Sequence, residues 1–160
     1  MYRFILGICL ILFAVFLIAI KQARASDWWL VIPSTSWHES KKPYNEDNWG
    51  LGFEYVTSPS WSFVGGTYPN SFKERTFYLG GVYAPAFLQL QTREILFKPG
   101  ILAGYFTGYE HGRAIPIVSP SLQIEIEKKI GIGVLFGCDN FKCKDGFIGF
   151  SLKFNKGIME

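Results

Sequence analysis

The sequence has few side chains suited to metal or redox chemistry: two histidines and three cysteines. Zinc is the rival reading of Cys138 and Cys143, spaced C-x4-C in GCDNFKCKDG, but a structural zinc site draws on four ligands. No second Cys or His pair is present. A convincing helical period is missing as well, and so are internal repeats and low-complexity tracts. Excess positive charge is missing once the N-terminal segment is set aside. Taking Arg3, Lys21 and Arg24 from the 16 basic residues leaves 13, equal to the 13 acidic ones. A nucleic-acid partner therefore loses its electrostatic support.

The set-aside segment reads MYRFILGICLILFAVFLIAIKQARASDWW. Arg3 precedes an uncharged apolar run from Phe4 to Ile20, and Ala23-Arg24-Ala25 supplies small residues at the cleavage spacing. Such a pattern is a secretory signal peptide, cut after Ala25. The run also approaches the ~17–25 residues of a spanning helix, so an uncleaved anchor is the alternative. Residues 26–160 suffice for one small domain. Cys9 leaves with the signal, and outside the cytoplasm a Cys138–Cys143 disulfide is expected.

Eight segments read as strands: Trp28–Thr35, Trp49–Thr57, Trp61–Tyr68, Thr76–Tyr83, Gly100–Tyr109, Ile115–Glu127, Ile130–Gly137 and Phe147–Phe154. They are β-branched and aromatic, with Pro, Gly, Asn, Asp and Ser between them. Phe87–Phe97 is ambiguous. Alternation within the strands is regular. In WGLGFEYVT, Trp49, Leu51, Phe53 and Tyr55 oppose Gly50, Gly52 and Glu54. In SLQIEIEK, Leu122, Ile124 and Ile126 oppose Gln123, Glu125 and Glu127. In IGFSLKF, Phe150 and Leu152 oppose Ser151 and Lys153.

An all-β, eight-stranded antiparallel up-and-down barrel satisfies this pattern. Glycines opposite bulky residues suit a crowded lumen better than a solvated face, where they expose backbone. Segments of this length also match a tilted spanning strand. An outer-membrane barrel is the first expectation and a soluble secreted barrel the second. In an up-and-down barrel alternate connections share one end. Ser36–Asn48, Pro69–Arg75, Glu110–Ala114 and Cys138–Gly146 are polar and hold His38, His111, Asn70-Ser71 and the cysteine pair. Ser58–Ser60 and the turn around Lys128 lie opposite and are tight.

The run IPSTSWHES, a following Tyr-Asn-Glu and NWGLGF resemble the first loop of the lipid A palmitoyltransferases of the Gram-negative outer membrane. The likeness continues through Ser71 into YLGGVY, and returns at Ile115–Ile117 and in the closing aromatic strand. It implies an eight-stranded barrel that moves a palmitoyl chain from a phospholipid to lipid A with a His, an Asp and a Ser. By position these fall on His38, Asn70 and Ser71. It also implies that prolines break strand pairing to admit lipid sideways, a part open to Pro33, Pro116 and Pro120. Two departures stand out: Asn70 replaces the carboxylate, and no N-terminal amphipathic helix precedes Trp28. A closer resemblance is to short secreted phage and proteobacterial proteins with S-x-H, Y-N-x-x-N-x-G-x-G-x-E-Y and Y-x-N-S-x-x-x-R. Here these are Ser36, His38, Tyr44, Asn45, Asn48, Gly50, Gly52, Glu54, Tyr55, Tyr68, Asn70, Ser71 and Arg75.

Acyl transfer needs an activated hydroxyl, a base and donors for the oxyanion. Ser71 is the candidate hydroxyl, His38 the base, and Asn70 the orienter of the imidazole or an oxyanion donor. Restoring the family's carboxylate at Asn70 is then expected to preserve or raise activity. Tyr68 and Arg75 are candidate substrate contacts, with Arg75 suited to a lipid phosphate. Glu54 requires a lumenal cation, either Arg75 or Lys153. His111 reads as a surface loop residue. Each site residue also has a plain reading as turn or loop chemistry, and a non-catalytic envelope or phage-encoded barrel is the alternative function. The expected partners are phospholipid and lipid A, met by a monomer without a cofactor.

Overall fold

The computed structural model describes residues 27–40, 42–109, 113–138 and 146–158. The expected signal peptide, His111 and Cys143 lie outside the described residues, and with Cys143 the expected disulfide partner of Cys138. The strands are β1 (Asp27–His38), β2 (Leu51–Ser58), β3 (Trp61–Pro69), β4 (Arg75–Tyr83), β5 (Leu90–Gln91), β6 (Ile95–Tyr109), β7 (Arg113–Ile126), β8 (Ile130–Cys138) and β9 (Gly146–Asn155). Eight of them pair antiparallel in the order β4-β3-β2-β1-β9-β8-β7-β6, and a β4–β6 ladder closes the ring. The two-residue β5 only flanks the start of β6. The chain is a closed eight-stranded antiparallel barrel.

The two strand faces separate as the alternation requires. Leu51, Phe77, Leu79 and Tyr105 point outward, and Val118 is 75% exposed. Glu54, Lys98, Gln123, Glu125 and Lys153 are buried in the lumen. This is the reverse of a water-soluble barrel, and it matches a wall that meets lipid. Aromatic cross-strand pairs line the short-turn end along β1 to β4. Trp28 faces Tyr55 at 4.6 Å between ring centroids, and Trp61 faces Tyr83 at 4.5 Å. Such rings are the interface belts of membrane barrels. In the lumen, Gly52 and Gly66 leave space for the Tyr78 hydroxyl, which a Cβ at either position would strike.

Below the midpoint, charged side chains fill the barrel as one network. Lys153 Nζ lies 2.7 Å from Glu54 and 3.5 Å from Glu125, while Lys98 Nζ lies 3.1 Å from Glu125. Gln123 donates to Glu54 at 3.1 Å and accepts from Lys153 at 3.2 Å. The Lys153 ammonium also sits 4.7 Å over the Trp29 ring. Of the two cations expected for Glu54, Lys153 takes the place, and Arg75 stands exposed at the opposite end.

The strand expectations hold except in β1, which runs on past Thr35 to His38 and so takes the histidine out of the expected Ser36–Asn48 connection, and in β6, which begins at Ile95 rather than Gly100. Pro99-Gly100 reads as a break, yet both residues pair with β7, and the early start carries Lys98 to Glu125. The β7–β8 turn places Glu127 and Lys128 at φ 50° and 56°, with the Lys129 amide closing on the Ile126 carbonyl at 2.9 Å. Two positive φ angles define the mirror-image hairpin turn that favours Asn and Gly. Lys128→Gly is expected to stabilise the barrel by about 0.5–1 kcal/mol, because the left-handed strain of a residue bearing a Cβ outweighs the flexibility gained. A lowered urea midpoint for that variant would contradict this.

Candidate active site at the long-loop rim

His38 is the last residue of β1, and its position there is fixed by pairing with Phe147 of β9. Its ring packs against Tyr44 at 4.4 Å and Phe147 at 5.6 Å between centroids. The backbone amide of His38 donates to the Glu46 carboxylate at 3.3 Å. These contacts aim Nε2 at two hydroxyls. Ser71 Oγ lies 2.9 Å away and Ser36 Oγ 3.3 Å away. A neutral imidazole with its proton on Nδ1 accepts from Ser71 in this geometry, the relation a general base needs.

Ser71 sits in the β3–β4 loop, and Asn70 holds that loop in shape. Asn70 is fully buried. Its Oδ1 accepts from the amides of Phe72 at 2.9 Å and Glu74 at 3.0 Å, and its Nδ2 donates to the Gly108 carbonyl at 2.7 Å. Gly108 presents that carbonyl from a φ of +77°, which a side chain would strain. The structure thus brings His38 and Ser71 together and commits the Asn70 amide to backbone groups beside them. With both ends of its side-chain amide held by backbone groups, Asn70 locks the loop, where it was expected to orient the imidazole or to donate to an oxyanion.

One consequence reverses the expectation for Asn70→Asp. A carboxylate would set an oxygen against the Gly108 carbonyl in a site without water access. We expect a loss of about 1–3 kcal/mol, the usual cost of an unsatisfied buried polar group, together with reduced activity. Thermal unfolding followed by heat-modifiable gel migration reads it. Unchanged stability with raised activity would restore the orienter role.

The first loop supplies further ties. The Asn45 backbone amide donates to the Ser71 carbonyl at 2.8 Å and its Nδ2 to the Asn70 carbonyl at 3.1 Å. Asn48 Nδ2 donates to the Pro69 carbonyl at 2.9 Å. The Y-N-x-x-N run therefore acts as a unit: Tyr44 seats the histidine, and the two asparagines seat the serine. That pattern was visible in the sequence, but nothing in it indicated which backbone it would bind.

A cavity of about 160 Å³ opens beneath the pair. Ser36, Asn48 and Ser71 border its mouth, Val64, Val82 and Phe106 its wall, and Glu54, Gln123 and Lys153 its floor. Tyr68 lines it too, with its hydroxyl 3.1 Å from that of Tyr109. Arg75 opens β4 on the exposed rim. The wall is broken on this half of the barrel. The β7–β8 ladder stops at Ser121–Leu135, so Pro116 and Pro120 lie where β8 is unpaired with β7, bridged by the Ser119 hydroxyl to the Phe136 carbonyl. At Pro33 the wall stays closed: the β1–β2 ladder ends at Val31–Gly52, but the Gly50 amide donates to the Pro33 carbonyl at 3.1 Å, the Asn48 amide to the Ser34 carbonyl at 2.9 Å, and Thr35 bridges Asp47.

No family model and no curated protein matches the chain. Among solved structures, a barrel from work on the de novo design of transmembrane β-barrels superposes with a TM-score of 0.59 at 12% identity. The match covers 84% of this chain and 98% of that one. At that identity the likeness concerns the fold. The chain shares with that design the closed eight-stranded antiparallel barrel.

Proposed function

We propose that this protein is an outer-membrane acyltransferase that moves a fatty acyl chain from a phospholipid to lipid A. The observation that carries the reading is the 2.9 Å approach of Ser71 Oγ to His38 Nε2 over a cavity mouth. Support also comes from the outward apolar wall, the β7–β8 ladder break at Pro116 and Pro120 and the likeness of both loops to the palmitoyltransferases.

In the first half-reaction His38 Nε2 takes the Ser71 proton as Oγ bonds to the ester carbonyl carbon. The tetrahedral adduct collapses, the ester C–O bond breaks, and the imidazolium returns the proton to the departing lysophospholipid oxygen. In the second, a lipid A hydroxyl gives its proton to His38 and attacks the acyl-serine carbonyl. The bond from the acyl carbon to Ser71 Oγ breaks, and Oγ recovers the proton from the imidazolium. The cavity is of the size that holds a benzene-sized guest. It accepts a short apolar segment above the charged floor, and the rest of a long chain stays at the β7–β8 break, against lipid.

Mass spectrometry of lipid A from Gram-negative cells expressing the protein tests the reading. An added acyl chain with the wild type, absent with Ser71→Ala, is the expected result. No change in lipid A or phospholipid acylation with the wild type removes the enzymatic reading in favour of a non-catalytic envelope barrel.

A further inference from the structure

Between β4 and β6 the chain runs APAFLQLQTRE from Ala84 to Glu94, with no charge before Arg93. A connection in water usually carries polar residues, because its backbone and side chains are solvated. This one turns Phe87, Leu88 and Leu90 outward, at 83%, 49% and 71% exposure. Nor is it loosely held. The Ala84 amide donates to the Ser60 carbonyl at 2.9 Å, and the Ala86 amide to the Ser60 hydroxyl at 3.2 Å. Gln89 Nε2 bridges the carbonyls of Pro59 and Ala84, each at 2.8 Å. A 3-10 turn at Ala86–Leu88 and the β5–β6 pairing of Leu90 with Phe97 complete the frame. The three apolar side chains are therefore presented by a fixed scaffold.

Their place in the barrel indicates what covers them. The segment leaves β4 at Tyr83, whose ring packs on Trp61 in the aromatic belt at the short-turn end. Apolar surface thus continues from the lipid-facing wall, past the belt, onto this connection. Arg93 and Lys128 stand exposed at the same end, where long cationic side chains reach headgroup phosphates. Three side chains are also too few for a stable protein interface, which buries about 1,000 Å² or more. Lipid sets no such minimum.

We infer that the β4–β6 connection is an interfacial anchor: Phe87, Leu88 and Leu90 seat in the headgroup–acyl boundary of the leaflet on the short-turn side, and phospholipid is the occupant. The inference rests on the membrane half of the reading above and is independent of acyl transfer. Such an anchor fixes the depth of the barrel from the end opposite the active site.

The test is photo-crosslinking of the full chain in intact cells, with p-benzoylphenylalanine at Phe87, at Leu90 or, as the lipid-facing reference, at Leu79. Heat-modifiable migration establishes that each variant is folded. Phospholipid adducts at Phe87 and Leu90, in yield comparable to Leu79, are expected. Lipid adducts at Leu79 alone overturn the anchor and leave the membrane reading intact. Adducts at Phe87 and Leu90 to another protein, or to a second copy of this chain, overturn phospholipid as the occupant. An absence of lipid adducts at all three positions overturns the membrane reading, and the anchor with it.

Discussion

Lys153→Met is expected to destabilise the barrel by about 3–5 kcal/mol, the cost of leaving buried carboxylates without their cation. Lys153 is the hub of the lumenal network, touching Glu54, Gln123 and Glu125 and lying over Trp29. Its removal leaves Glu54, 1% exposed, with only the uncharged Gln123 and Ser62 as close partners among the described residues, and Glu125 with Lys98. Adding Glu54→Gln to Lys153→Met should recover most of the loss, since the stranded charge goes with it. Urea midpoints of the two variants in lipid vesicles check both statements. A midpoint for Lys153→Met equal to the wild type would mean that the network carries no stability.

Ser71→Ala and His38→Ala should each lower acyl transfer by on the order of 10³-fold or more, and the double variant should be no worse than either single one. Non-additivity follows because the two groups act as one unit: without the base the hydroxyl is not activated, and without the hydroxyl the base has no proton to take. Neither substitution touches the lumenal network or the ladders, so heat-modifiable migration should stay unchanged. Full activity in purified Ser71→Ala would exclude Ser71 as the nucleophile.

The barrel was legible because every strand of such a fold repeats the same two-residue decision. Gly52 and Glu54 against Leu51, Phe53 and Tyr55 state that decision in one stretch of β2, and β7 and β9 repeat it. Connectivity alone placed His38 and Ser71 at one rim. The distance between them depended on loop bonds that carry no period. Asn45, Asn48 and Asn70 are ordinary turn residues in the sequence, and which carbonyl each would bind follows from the closed ring bringing Gly108 and Pro69 within reach. For the same reason Asn70 read as part of the chemistry when its bonds make it part of the frame. Lys98 was hidden by Pro99-Gly100, whose turn-like composition masks a strand that the Lys98–Glu125 pair extends.

The most direct measurement is transfer of an isotopically labelled acyl chain from phospholipid to lipid A in vesicles holding only the purified barrel. Label in lipid A with the wild type, and none with Ser71→Ala of equal fold, is the result this account predicts. Unlabelled lipid A with the wild type, or equal labelling by both proteins, would contradict it.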